Sequence, residues 1–231
     1  MTAAAALDQS SPLWTLVRVS GTVDLVLLTM SVALGISVIG EGSVRGTPRF
    51  VFRHLHRDVS MLALALLAAH IIAAVLLVHL DIIPTVLPFA SSTRRVYLGL
   101  GVLGADLMAV VAVTSAVRQR LRVRRWRFVH WAAYLAWIAA VVHGAAPGTD
   151  RAVPWVGALD VACVAAVLAC VTVRFARSHE HRPARLLAAG AVSALALVAF
   201  VSWVRVDTTP AEAPTGLHMT APLTTPRGEI R

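Results

Sequence analysis

Of the 231 residues, 58% are hydrophobic and only 14% are charged, at a mean hydropathy of +0.74. A soluble domain carries about a quarter charged residues, so this composition excludes one. The net charge of +9 does not mark a nucleic-acid partner, because the basic residues, 21 arginines and no lysine, cluster in short stretches between apolar runs.

Residues 1–16 read as a short outer segment, without the basic-then-apolar order of a cleaved signal peptide. Six apolar stretches follow, near 17–39, 57–80, 96–117, 128–146, 155–175 and 184–204. Each is close to the roughly 20 residues a helix needs to cross a bilayer. Strands with open edges would leave backbone groups unsatisfied in lipid, so helices are expected throughout. The expected fold is an all-α integral membrane protein, a six-helix transmembrane bundle over 17–204. The fourth stretch is the shortest and closes on Ala146-Pro147-Gly148, a helix stop. Cys163 and Cys170, seven residues apart on the fifth, are separated by roughly 10 Å of helical rise, too far for a disulfide. The tail, 205–231, is rich in Pro, Thr and Ala and reads as a disordered outer extension.

The arginines set an orientation. Arg45, Arg49, Arg53 and Arg57 lie between the first two stretches, and Arg118, Arg120, Arg122, Arg124, Arg125 and Arg127 between the third and fourth. Arg174, Arg177, Arg182 and Arg185 lie between the fifth and sixth. Basic residues in alternate loops assign those loops to the cytoplasm, which places both termini outside the cytoplasmic membrane.

Imidazoles inside apolar segments are rare and functional by default. His56, at the threshold of the second stretch, and His70 within it stand 14 residues apart, and His130 and His143 stand 13 apart in the fourth. Both stretches run from inside to outside, so first histidine faces first and second faces second. Four such side chains suffice as axial ligands for two b-type haems, roughly 20 Å apart by helical rise. Fourteen residues return a side chain to within about 40° of its starting direction, whereas thirteen leave it about 140° away. The second pair therefore needs a π-bulge, an end distortion or a tilt to share a face. His54, 16 residues before His70, competes with His56 but falls about 160° off.

The stretches HLHRDVSMLALALLAAH and RRWRFVHWAAYLAWIAAVVHG resemble the ferric reductase-like transmembrane domain. That superfamily includes ferric reductases, the membrane half of NADPH oxidases and the haem-binding subunit of a bacterial methionine-sulfoxide reductase. The resemblance spans roughly 50–175, and its specific part is the paired spacing. It implies two haem b groups, an inner one held by His56 and His130 and an outer one by His70 and His143. It further implies an electron-transfer subunit of an oxidoreductase, with no side chain assigned a catalytic role. A quinol or a separate flavoprotein is the expected donor, with quinone or FMN as candidate further cofactors, and an outer reductase is a candidate partner besides membrane lipid.

Arg57 and Arg127, with Arg53 and Arg125, flank the inner histidines and suit haem propionates, although topology alone explains them equally well. Arg94, Arg95 and Arg151 are weaker outer counterparts. Asp24, Asp106 and Asp160 are expected to bond Ser, Thr or Arg of neighbouring helices, with proton relay for quinol oxidation or acceptance of a histidine's second ring proton as the functional alternatives. Trp126, Trp131, Trp155 and Trp203 lie near span ends as interfacial anchors, with Trp126 or Trp131 alternatively packing on a haem face. His79, His179, His181 and His218 read as surface histidines. Two rivals remain: the cytochrome b anchor of a quinone-linked dehydrogenase or hydrogenase, and a transporter or structural protein whose histidines bind no haem.

Overall fold

The computed structural model describes residues 12–38, 48–78, 83, 86–90, 95–145, 154–178 and 183–206. Among these the chain is helical, with no strand. The helices are α1 (Pro12–Val38), α2 (Arg49–Val78), α3 (Arg95–Ala116), α4 (Val123–His130), α5 (Ala132–Gly144), α6 (Pro154–Ser178) and α7 (Pro183–Val206). A 3-10 turn, Arg118–Arg120, joins α3 to α4. Proline opens α1, α6 and α7, a position where its missing N–H has no helical partner to lose.

Among the described residues four helices, α1, α2, α3 and α6, are long and apolar enough to cross a membrane. The chain is a multi-pass membrane protein. Large apolar side chains on the outer faces support this: Met61, Leu62, Ile72 and Leu76 on α2, and Val192, Leu195 and Val198 on α7, are exposed in the isolated chain. In water such a surface would be a liability, whereas lipid covers it at no cost. The six expected spans meet this architecture unevenly. The fourth is divided at Trp131 between α4 and the 13-residue α5, and the sixth corresponds to α7, of which Gly190–Ser202 forms a shorter apolar segment. The helix stop at 146–148, the tail beyond 206, His79, His179, His181, His218, Arg94 and Arg151 lie outside the described residues.

α1 is the organising element. It packs along α2 on one side and against α5 and α6 on the others, while α3 packs along α5. The core gathers where these meet: Leu25, Leu28, Val32 and Ile36 of α1, Met108 of α3, Ala136, Trp137 and Val141 of α5, and Cys163, Val164 and Val167 of α6. At its centre the Trp137 indole donates a 2.9 Å hydrogen bond to Thr29 Oγ1, whose own hydroxyl donates to Leu25 O at 2.7 Å. A buried indole N–H needs such a partner. Small residues let α3 and α5 approach closely, since a Cβ at Gly104 would lie only 3.4 Å from Ala136 O. Arg174 reaches Ile36 O at 3.2 Å, placing a cation at the α1 C-terminus, where the helix dipole favours it. Both cysteines are free, Cys163 in the core.

Candidate functional site

α2 and α5 carry histidines yet barely touch along their backbones, because α2 leans on α1 and α5 on α3. The imidazoles reach across the intervening space. The His56 and His130 ring centres are 6.2 Å apart with planes at 79°. His70 and His143 stand 6.5 Å apart with planes at 82°. First faces first and second faces second, as parallel helices require. His54 is exposed, and the side chain brought to His130 is that of His56.

The helix break accounts for the 13-residue spacing. α4 ends on His130, Trp131 adopts φ −65° and ψ −20°, and α5 starts at Ala132. The Trp131 N–H is shared between Arg127 O at 3.2 Å and Phe128 O at 3.3 Å, while Tyr134 N–H turns back to Trp131 O at 3.0 Å. This tighter winding directly after His130 is the end distortion that a straight helix would have lacked.

Three of the four rings are anchored at Nδ1 by a backbone carbonyl, and Ser31 Oγ and Ser20 Oγ also lie 3.3 Å from Nδ1 of His56 and His70. His56 Nδ1–H donates to Ser31 O at 2.9 Å, His70 Nδ1–H to Val17 O at 3.0 Å, and His143 Nδ1–H to Tyr97 O at 2.8 Å. A carbonyl can only accept, so each of these Nδ1 atoms carries the ring proton and leaves Nε2 as the lone-pair nitrogen. That is the state and the backbone support usual for a metal-binding histidine. His130 differs. Its Nδ1 is buried without a partner among the described residues, and its ring stacks on Trp126 at 4.9 Å and 26°. The Arg118 guanidinium lies 5.0 Å over that same indole, a cation–π contact that extends the stack.

Two imidazoles on opposite sides of one metal ion, at about 2 Å per bond, place their ring centres about 6.4 Å apart. Both observed separations match. Among the described residues no three His, Cys, Asp or Glu side chains gather at one point, so neither pair gains a third ligand of these types from them. A metal held there would need equatorial donors that it brings with it.

The remaining candidates fall elsewhere. Arg57 and Arg127 are exposed at the His56 and His130 end, as are Arg53 and Arg125. Arg95 donates from Nε to Phe89 O at 2.8 Å and braces the turn before α3. The aspartates do not take the described Nδ1 protons: Asp160 is buried in α6, and Asp24 Oδ1 is buried without a partner among the described residues. The glycines beside the rings carry no charge or ligand atom and escaped notice in the sequence. The signal was present, since Gly21 and Gly35 are 14 apart on α1, the same interval as His56 and His70 on α2.

The model of one family, the ferric reductase like transmembrane component, matches residues 20–142, just over half of the chain. The chain belongs to this family. No curated protein and no solved structure matches it. Within the ferric reductase-like chain the match begins on α1, earlier than the resemblance from residue 50 suggested, and ends one residue short of His143. It takes in α1 from Ser20 onward, with the Ser31 carbonyl that anchors His56, and the helices carrying His56, His70 and His130, while Val17 and His143 fall just outside it.

Proposed function

We propose that this chain is a dihaem b-type membrane cytochrome that passes electrons across the cytoplasmic membrane to an outer acceptor. The observation that carries the reading is the doubled arrangement: two imidazoles at the spacing of a bis-imidazole metal centre, twice, on the same two helical arms. Haem would supply one-electron redox chemistry at each pair. Haem would bring further donors of its own to the two imidazoles of each pair, which a structural zinc ion would not.

The chain's own residues then have distinct tasks. His56 and His130 hold the inner site, and His70 and His143 the outer one. The carbonyls of Ser31, Val17 and Tyr97 fix three rings and raise the basicity of their Nε2 atoms. The Trp126 face orients His130, which lacks that support. Arg57 and Arg127, exposed at the inner end, would meet the haem carboxylates there, for which a guanidinium fork is the suitable partner. Six spans with both termini outside follow from the arginine distribution. The donor class that fits this reading is a quinol or a separate flavoprotein, with a ferric complex, oxygen or an outer reductase receiving the electron.

The purified chain is expected to be coloured, to show a b-type reduced-minus-oxidised difference spectrum, and to release about two haems per chain in a pyridine assay. A colourless, folded protein from haem-replete cells would reject the proposal.

A further inference from the structure

The three anchored histidines share a feature beyond their carbonyl bonds. Each accepting carbonyl stands four residues before a glycine on the same helix: Val17 and Gly21, Ser31 and Gly35, Tyr97 and Gly101. In an α-helix the carbonyl of residue i already accepts the N–H of residue i+4, so an incoming donor must approach its second lone pair past that residue. A side chain at i+4 stands in the way.

The clearances decide where this matters. A Cβ at Gly21 would lie 2.8 Å from His70 Cε1 and 3.1 Å from its Nδ1. A Cβ at Gly101 would lie 2.8 Å from both Cε1 and Nδ1 of His143. Carbon contacts are favourable only near 3.5–4.0 Å, and both rings are tied at Nδ1, so neither can withdraw and keep its bond. At Gly35 the same Cβ would meet His56 Cε1 at 3.5 Å, an ordinary contact. The fourth ring fits the pattern by exception. Thirteen and fourteen residues beyond Gly101, α3 carries Thr114 and Ser115 rather than glycine, and His130 has no carbonyl partner among the described residues.

We propose that Gly21 and Gly101 are positioning residues of the outer pair: each opens an already-bonded helix carbonyl to an imidazole Nδ1–H and thereby sets the orientation and basicity of His70 and His143. This rests on the assignment of those histidines as haem ligands. Losing the Nδ1–H···O=C bond makes the imidazole a weaker donor to ferric iron, which shifts the midpoint potential upward. A misplaced ring loses the haem outright.

The test is a set of double-mutant cycles: Gly21→Ala alone and with His70→Ala, Gly101→Ala alone and with His143→Ala, and Gly35→Ala and Gly157→Ala as controls. The readouts are haem per chain and the two midpoints in a spectroscopic redox titration. Gly21→Ala and Gly101→Ala should each raise one midpoint and leave the other, or lower haem from about two per chain to about one. The controls should match the parent, since a Cβ at Gly157 meets nothing within 4 Å. Once the partner histidine is alanine, the glycine substitution should have no further effect. Unchanged midpoints and haem content in both single variants would overturn the proposal. So would a loss that persists undiminished on top of the histidine variant, because the effect would then not act through the ring. A wild-type chain without haem would instead refute the ligand assignment on which it rests.

Discussion

Replacing His70 or His143 by alanine is expected to halve the haem content, from about two per chain to about one, while replacing both leaves the same single haem. The two side chains face each other at 6.5 Å and no third His, Cys, Asp or Glu among the described residues stands by to substitute. Loss of either partner therefore removes one complete site. His56→Ala and His130→Ala should likewise remove the inner haem, and His54→Ala should remove none, since the exposed His54 is not the side chain brought to His130. Pyridine haem assays on the purified variants read this directly. Full haem content in both His70→Ala and His143→Ala would reject the assignment.

The same variants should abolish electron flow across a bilayer even though half of their haem remains. The pairs lie 14 residues apart on α2, about 20 Å of helical rise, so under the proposed function each would serve as a stepping point for a different part of a hydrocarbon layer about 30 Å thick. Vesicles holding the wild-type chain, with a reductant trapped inside and an impermeant ferric complex outside, should reduce the outer complex. Vesicles holding His70→Ala or His56→Ala should fall to the rate of protein-free vesicles. Retained flux in a variant with one haem would mean that the two sites do not act in series.

Much of the candidate site was legible before any coordinates. Histidine spacing on two apolar stretches identified all four side chains, and the parallel direction of those stretches predicted which ring faces which. Composition and the apolar runs were enough for an all-helical membrane protein. The hidden parts have specific physical causes. The break at Trp131 has neither proline nor glycine to announce it, so only the 140° mismatch of a 13-residue interval hinted that one was needed. Carbonyls, rather than Asp24, Asp106 or Asp160, take the described ring protons; every residue has a carbonyl, and nothing in a linear sequence marks the one left open. The glycines do mark it, but α1 carries no histidine, and its glycines become meaningful only when its antiparallel packing on α2 aligns one 14-residue interval with the other. The stack of Arg118, Trp126 and His130 depends in the same way on the 3-10 turn that folds Arg118 back over α4.

In the proposed cytochrome each metal centre would be gripped by one imidazole from α2 and one from the α4–α5 arm, with ring planes at 79° and 82°. Electron paramagnetic resonance of the oxidised, purified chain tests it most directly, because spin state reports the number of strong axial ligands and g-anisotropy reports their relative orientation. Two low-spin ferric signals, both of the strongly anisotropic kind that near-perpendicular imidazoles produce, are the predicted result. A dominant high-spin ferric signal, or none at all, would contradict it.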